Sequence, residues 1–370
     1  MTRVLVAGLG DTGVLCAGAL ARHAMVRRGV SVTGVSPTTG LVSGQELGLR
    51  LTRPDAWSRD YRIPYRSFRR LDRVDVVHGR LVSSDLAART VSVVGADGSP
   101  RELGYDVLVV ATGVANGFWR SDAVRTDDAV ATDLADRHAR LAAAGSVAVV
   151  GGGAAATSAA YNVAVRWPGK RVDLYFPGER GLPQHHGRTW AGVRRRLEAA
   201  GVVLHPGHRA VLPTSDEPAP GPVAWSTGQP AADADLVLWA VGRVRPHTGW
   251  LPDSVLDEDG FVRTGPDLRV PGVDGVFAIG DVAATDPLRS TARNFQHRVL
   301  AANVAAYVDG RPLQEISLPG RRWGSVLGPQ RTGLEVFNPS GRPFRIPRVV
   351  VDRALQPWVV KKGIYGGVRR

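Results

Sequence analysis

Arg3-Val4-Leu5-Val6-Ala7-Gly8-Leu9-Gly10-Asp11-Thr12-Gly13 opens the chain, and Ser146-Val147-Ala148-Val149-Val150-Gly151-Gly152-Gly153-Ala154-Ala155-Ala156 repeats its pattern later. Each is a short β-prone apolar run that breaks into a glycine turn. An Ala-rich helical stretch follows, ending near Arg28-Gly29 in the first case and running over Thr157–Trp167 in the second. Another apolar run comes next, Val30–Val35 and Arg171–Phe176 respectively. Strand, turn, helix and strand in this order predict a βαβ unit with parallel strands, and the chain carries two of them.

The turns have a mechanical logic. The first glycine makes the tight exit from the strand, the second lets backbone approach a pyrophosphate, and the third position must be small for helix and strand to pack. Gly8, Gly10 and Gly13 fill these roles in the first unit, and Gly151, Gly153 and Ala156 in the second. A phosphate there meets the free N–H groups and dipole of a helix N-terminus. Both units lack the acidic residue that would grip ribose hydroxyls at the end of the second strand. Ser36 stands there in the first; Phe176 does in the second, with Arg180 four residues on. Without a carboxylate a 2′-phosphate is not repelled, and Arg180 can pair with one, which leans toward NADPH; a solvated loop arginine is the alternative reading.

Further apolar runs at Val74–Gly79, Thr90–Val94 and Asp106–Ala111 separate the two units, and Val202–His205, Asp235–Val241 and Gly275–Ile279 follow the second. All read as strands. Thr189–Ala200 and about 290–308 read as helices, and Gly324–Leu327 and Arg348–Val351 as strands of a tail rich in Arg, Gly and Pro. Pro213–Pro222 reads as a surface loop.

The 370 residues suffice for two or three domains. The formal net charge of +13 is almost all arginine, since Lys170, Lys361 and Lys362 are the only lysines. It points either to a coding bias or to an anionic partner: a membrane surface, an acidic electron carrier or nucleic acid. Cys16 is the only cysteine, so no intrachain disulfide or CxxxxC redox pair can form. Glycines interrupt the apolar N-terminus, which argues against a signal peptide, and no uncharged apolar run reaches membrane-spanning length. These features predict a cytoplasmic protein. The vicinal His185-His186 has no third ligand in sequence and reads as a loop.

With these residues in hand, the chain resembles the FAD-dependent pyridine nucleotide-disulfide oxidoreductase superfamily, of glutathione-reductase-like fold. The most specific stretch runs from Gly260 to Ala283 and contains Val276-Phe277-Ala278-Ile279-Gly280-Asp281. Ala111-Thr112-Gly113 and Ala240-Val241-Gly242-Arg243 are similar to the superfamily's two crossover strands, and Gly79-Arg80-Leu81 to a segment that contacts the FAD adenine. Within the superfamily, Gly48-Leu49-Arg50 and the tail from Trp323 to Gly367 resemble type II NADH dehydrogenases and the ferroptosis-suppressor and apoptosis-inducing-factor-like NAD(P)H:quinone reductases.

The resemblance implies an α/β fold of two Rossmann-like nucleotide-binding domains with a small α+β C-terminal domain. FAD would bind a discontinuous domain of residues 1–115 and 243–312, NAD(P)H a domain of 116–242, with 313–370 as the small domain. FAD would be held by Gly8, Gly10, Gly13, Ser36, Arg50, Leu81, Thr112, Gly113, Gly280 and Asp281, with Asp281 accepting a ribitol hydroxyl. NAD(P)H would be held by Gly151, Gly153, Ala156, Arg180 and Gly242. Gly44, Gln45, Glu46, Asn294, Gln296 and His297 would lie near the isoalloxazine, where Glu46 or His297 could protonate a reduced quinone, with Gln296 the further candidate; a packed or solvated His297 is the alternative.

Three departures stand out: the missing CxxxxC, which excludes disulfide reductase chemistry; Ser158 where many relatives carry a Glu near the nicotinamide; and Asp11 inside a phosphate turn, an acid that must turn away, for instance to cap the helix. The implied activity is hydride transfer from NAD(P)H to flavin and on to a quinone-like acceptor. Basic residues of the tail, among them Arg342, Arg345, Arg348, Arg353, Lys361, Lys362 and Arg370, with Trp358 and Tyr365 between, suit peripheral contact with the inner face of a membrane, or a merely solvated surface. The alternatives are a ferredoxin or rubredoxin reductase, served by an acidic carrier, and a low-turnover flavin-binding signalling or nucleic-acid-binding protein. No nucleic-acid-binding motif supports the last.

Overall fold

The computed structural model describes residues 1–26, 29–116, 123–212, 218–242, 244–286, 288, 295–318 and 320–369. Asn294, Arg243 and Arg370, and part of the Pro-rich loop, lie outside them.

The first sheet begins with β1 (Thr2–Ala7), α1 (Asp11–Val26) and β2 (Val30–Ser36), followed by β3 (Gly40–Val42), α2 (Leu47–Thr52), α3 (Pro54–Tyr61) and β4 (Arg62–Pro64). Then come β5 (Val74–Asp85), β6 (Thr90–Gly95), β7 (Pro100–Gly104), β8 (Val107–Val110) and β9 (Val114–Asn116). The second unit runs through α4 (Asp127–Ala143), β10 (Ser146–Val150), α5 (Ala154–Arg166), β11 (Arg171–Tyr175), α6 (Gly187–Ala199), β12 (Val202–His205), β13 (Ala219–Val223) and β14 (Ala232–Trp239). The chain returns by β15 (Val244–Pro246) to β16 (Val276–Ala278) and α7 (Gln296–Val308), and ends in β17 (Gly333–Phe337), β18 (Pro343–Pro347) and α8 (Arg348–Val350), which continues as a π-helix over Val351–Ile364.

Two large sheets result, in strand orders β16-β8-β1-β2-β5-β6-β7 and β12-β11-β10-β14-β13, beside the two-stranded pairs β15-β9, β17-β18 and β3-β4. β1 lies parallel between β2 and β8, with Val4 opposite both Val32 and Val107. Its side chains alternate between two cores. Val4 and Val6 pack with Val14 and Ala17 of α1 and Leu300 and Val304 of α7. Leu5 and Ala7 pack on the other face with Val91 and Val93 of the β6 meander. β10 behaves likewise: Val147 and Val149 meet Ala156, Ala159 and Val163 of α5, while Ala148 and Val150 meet Trp225 and Trp239. Burial on both faces is what the unbroken apolar runs require.

Three expectations change. Ala219–Val223, overlapping the expected loop, is a strand at the sheet edge, where Pro220 and Pro222 need not donate to a ladder on the outer side. Gly324–Leu327 forms no strand, only an isolated bridge from Gly324 to Phe337; Arg348–Val351 is helical, not extended; and the tail hairpin is β17–β18 instead. Three consecutive valines favour a strand, but tertiary packing overrides that preference. Val360, Ile364 and Tyr365 turn inward onto the first unit, where Tyr365 meets Phe68 edge-on at 5.3 Å. Lys361 bonds to Asp60 at 2.8 Å and Gln356 to the Tyr61 hydroxyl at 3.0 Å. The same tail grips the second unit through the Arg196–Glu335 ion pair and through Phe337, buried in the core of that unit.

Candidate functional site

A cleft of about 930 Å³ runs between the two sheets and is lined by both glycine turns. From the first unit it takes Gly8, Gly10, Ser36, Glu46, Arg50, Leu81, Thr112 and Gly113; from the second Gly153, Ser158 and Gly242; from the return segment Gly280 and Asp281. Gly44 and Gln45 line it as well. The C-terminal segment supplies a strap, Arg321 to Val326, along one wall.

The first turn is built by close approach. A Cβ on Gly8, whose φ is 95°, would lie 2.6 Å from the Ala111 carbonyl oxygen, and one on Gly13 would overlap the Gly8 carbonyl. Nothing lies within 4 Å of the Cβ position of Gly10, which opens into the cleft. A tight turn, an open second glycine and the N-terminus of a 16-residue helix together fit a pyrophosphate. The second turn matches it: Gly151 (φ 141°) presses on the Ala240 carbonyl, and Gly153, the N-cap of α5, is open. Gly13, Gly151 and Ala156 therefore shape the turns from beneath and do not line the cleft.

Asp11 does turn away, though not to cap a helix. Its Oδ1 accepts the Ser43 hydroxyl at 2.6 Å and its Oδ2 the Gly44 amide at 2.8 Å, pinning the loop that leads to Glu46. Ser36 is buried and hydrogen-bonded to Tyr65 at 2.8 Å. The one Tyr65 hydroxyl proton goes to the Leu9 carbonyl at 2.9 Å, so Ser36 donates to Tyr65 and keeps lone pairs for a ligand. Burial holds the Tyr65 phenol at about 12, un-ionised at any physiological pH. Arg50, 6% exposed, lies over the Trp57 ring at 5.0 Å, and the Trp57 indole N–H is bonded to the Gln45 carbonyl at 2.9 Å.

Glu46 N-caps α2 with a left-handed backbone (φ 54°), and its carboxylate abuts Gly328. Gln296 and His297 lie elsewhere, on the buried face of α7, and neither lines the cleft. Burial, with Arg298 and Arg70 nearby, lowers His297 to about 4, so it is neutral at pH 7 and has no acidic proton to give at that pH. Arg180 is exposed, with its guanidinium 3.4 Å from the Pro183 carbonyl, and does not line the cleft. Phe176 is buried edge-on against Trp190. His186 caps α6 through the Arg188 amide, whereas His185 lines the cleft. Among the described residues no group of three His, Cys, Asp or Glu side chains converges, and no helix is long and apolar enough to cross a membrane.

Sequence reading passes over several lining residues. Tyr65 reaches the site from a 3₁₀ turn. Arg125, ion-paired with Asp133 at 3.3 Å, adds a cation beside Thr38. His247 closes the crossover, its carbonyl accepting Thr112 Oγ1 at 2.8 Å. The strap carries no motif. With Arg50, Arg80, Arg125, Arg321 and Arg322 against Asp11, Glu46 and Asp281, the lining is net cationic, as suits two diphosphates.

Known proteins agree with this architecture. The oxidoreductase ptaL of Pestalotiopsis fici is 27% identical over 219 residues, covering 58% of this chain and 58% of that one. The Fe-regulated protein 8 of Mycosarcoma maydis is 28% identical over 269 residues, 67% of each chain. The sulfide:quinone oxidoreductase of the hyperthermophilic bacterium Aquifex aeolicus superposes with a TM-score of 0.73 over 99% of this chain and 92% of its own, at 15% identity, a likeness of fold. The pyridine nucleotide-disulphide oxidoreductase family matches residues 2–306. With two glycine turns opening on one cleft, the chain belongs to that family, and it spans 58% of the length of ptaL.

Proposed function

We propose that the protein is an NAD(P)H:quinone oxidoreductase, with FAD in the first unit and NAD(P)H in the second. The carrying observation is that Gly10, Gly153, Gly280 and Asp281 open onto one continuous cleft. FAD, when bound, supplies the two-electron chemistry that links a hydride donor to an acceptor. In this reading residues 1–115 with 243–312, residues 116–242 and residues 313–370 are the three functional domains.

The chain's own groups bind, orient and exclude water. Gly8, Gly10 and Gly13 shape the diphosphate cradle, Arg50 neutralises it, and Ser36 accepts a ribose hydroxyl. Leu81 flanks the adenine, Thr112 and Gly113 the middle of the cofactor, and Gly280 with Asp281 close over the ribitol. On the other side Gly153 and Gly242 receive the pyridine nucleotide over a turn shaped by Gly151 and Ala156, and Ser158 faces the nicotinamide in place of a Glu. Reduction of a quinone by NAD(P)H takes up one proton besides the hydride. We assign its delivery to Glu46, which lines the cleft, and not to His297, which does not. With Cys16 buried and alone, disulfide reduction has no thiol to use.

A lipid-borne acceptor suits the tail. Val349, Arg353, Trp358 and Lys362 recur every four or five residues, with Val350 and Val359 beside them, and all are exposed, Trp358 at 60%. Lys362 sits 4.4 Å from the Trp358 ring. Apolar side chains among cations fit the interface of an anionic membrane. The sulfide:quinone oxidoreductase likeness agrees with a quinone acceptor.

Anaerobic titration of the yellow protein with NADH and with NADPH should bleach the flavin. Reoxidation by a short-chain quinone should then be fast and be enhanced by anionic vesicles. Reoxidation by an acidic ferredoxin alone, falling steeply with salt, would replace the quinone by a protein carrier. No bleaching by either nucleotide would overturn the reading.

A further inference from the structure

Beside the cleft, three parts of the chain meet at one amide. The Asn162 side chain, on α5, is buried. Its two N–H groups donate to the Ser158 carbonyl at 2.9 Å and, across the chain, to the Leu327 carbonyl at 3.0 Å. Gln330 donates back to Asn162 Oδ1 at 3.3 Å and to Leu327 O at 2.7 Å. On the opposite side α2 arrives in van der Waals contact. A Cβ on Gly48 would fall 2.5 Å from the Ser158 carbonyl and 2.6 Å from Asn162 Nδ2. Glu46, two residues before Gly48, abuts Gly328, one residue after Leu327. Glu46, Leu47, Ser158 and Val326, all within this knot, line the cleft.

We propose that Asn162 is a positioning residue: it locks the flavin-side helix α2, the nicotinamide-side helix α5 and the C-terminal strap into one register, and so fixes the nicotinamide against the flavin. This deepens the function proposed above and rests on it for the identity of the two rings. The chemistry selects an amide. Two carbonyl oxygens take its N–H groups while its own oxygen takes an N–H of Gln330; only Asn or Gln offers both on a short planar group. Aspartate would aim a charge at two carbonyls with nothing to donate, and leucine would donate to neither carbonyl and accept nothing from Gln330.

Asn162→Asp and Asn162→Leu should be compared with the parent as FAD-loaded proteins. Two readouts are taken. The first is tryptic cleavage at Arg321 and Arg322, within the strap, and at Arg331, just beyond it; it should quicken about tenfold or more as the strap loosens. The second is anaerobic mixing with NADPH or NADH, followed at long wavelength. The charge-transfer absorbance should weaken, and flavin reduction should slow by about tenfold or more with flavin content unchanged, since a shift near 1 Å suffices. Gly48→Ala, which leaves the amide intact but wedges α2 off α5, should reproduce the spectral loss. If Asn162→Asp fails to fold, Gln330→Leu, which removes only the strap side of the knot, should give the same two effects in weaker form. Parent-like protection of the strap, or a parent-like charge-transfer band and reduction rate in the folded variants, overturns the proposal. A parent protein that neither nucleotide bleaches would instead defeat the functional reading, and the cleavage readout would still decide whether Asn162 holds the strap.

Discussion

Ser43 donates its hydroxyl to Asp11 Oδ1 at 2.6 Å. An acid in a phosphate-binding turn is thereby turned into the anchor of the loop on the far side of the cleft, the Gly44 amide taking the other oxygen. Were Asp11 only a repulsive charge beside the pyrophosphate, neutralising it would tighten FAD binding. The geometry calls for the opposite. Asp11→Asn can still accept from one partner but faces the other with an N–H, and FAD affinity should fall about tenfold, roughly the loss of one charge-assisted hydrogen bond. Flavin fluorescence quenching on titration of the apoprotein measures it.

The two glycine turns fail separately. Gly13→Ala drives a methyl into the Gly8 carbonyl and Gly151→Ala one into the Ala240 carbonyl at a φ of 141°. Overpacking of this kind costs about 1–3 kcal/mol, with backbone strain added at Gly151. Gly13→Ala should purify with little or no flavin. Gly151→Ala should stay yellow but need at least about tenfold more NAD(P)H for half-maximal bleaching. Flavin content per chain and an anaerobic titration separate the two outcomes.

Tyr65→Phe keeps the ring and deletes the hydroxyl that serves both the Leu9 carbonyl and Ser36. Stability in urea should drop by about 1–3 kcal/mol, the range for orphaning buried polar groups. FAD affinity should weaken in parallel, because Ser36 then lacks the acceptor that orients it.

His297 makes stability pH-dependent. The histidine, 3% exposed, has its pKa lowered from 6.5 to about 4 by burial and two nearby arginines. Between those values the unfolded chain binds the proton that the folded one refuses. The contribution of His297 is therefore complete above pH 6.5 and is lost as pH falls toward 4. Urea midpoints measured from pH 7 down to 5 should fall, and His297→Gln should fall less over the same range.

How far the chain is legible from its residues depends on how local each constraint is. Gly8, Gly13 and Gly151 were readable because steric demand at a turn shows in its own few residues, and Gly280-Asp281 because it ends a strand. The strand orders follow from two βαβ units. Asn162 was not readable, since its partner Leu327 lies 165 positions away and neither residue type announces the pairing. His297 misled for a related reason: a helix starting at Gln296 can present its first turn to solvent, cleft or core, and only packing against α1 sends Gln296 and His297 inward. The valines at 349–351 misled because β-propensity is weaker than the pull of Val360, Ile364 and Tyr365, farther along the same helix, into the first core. Tyr65 and Arg125 were missed because they complete the site from segments outside either glycine turn.

The single thiol gives the last test. Cys16 has no exposed surface, packs in the first core against α1 neighbours, and is held far above the ordinary thiol range by burial. A thiolate nucleophile needs a lowered pKa and access, and Cys16 has neither. Cys16→Ala should therefore keep NAD(P)H-dependent quinone reduction within about twofold of the parent, losing only about 1 kcal/mol of stability to a small cavity. Iodoacetamide should leave the folded parent unmodified and fully active. A variant that folds, holds its flavin and yet loses turnover would mean that the thiol takes part in the chemistry, and would return disulfide exchange to consideration through a second chain or an external thiol.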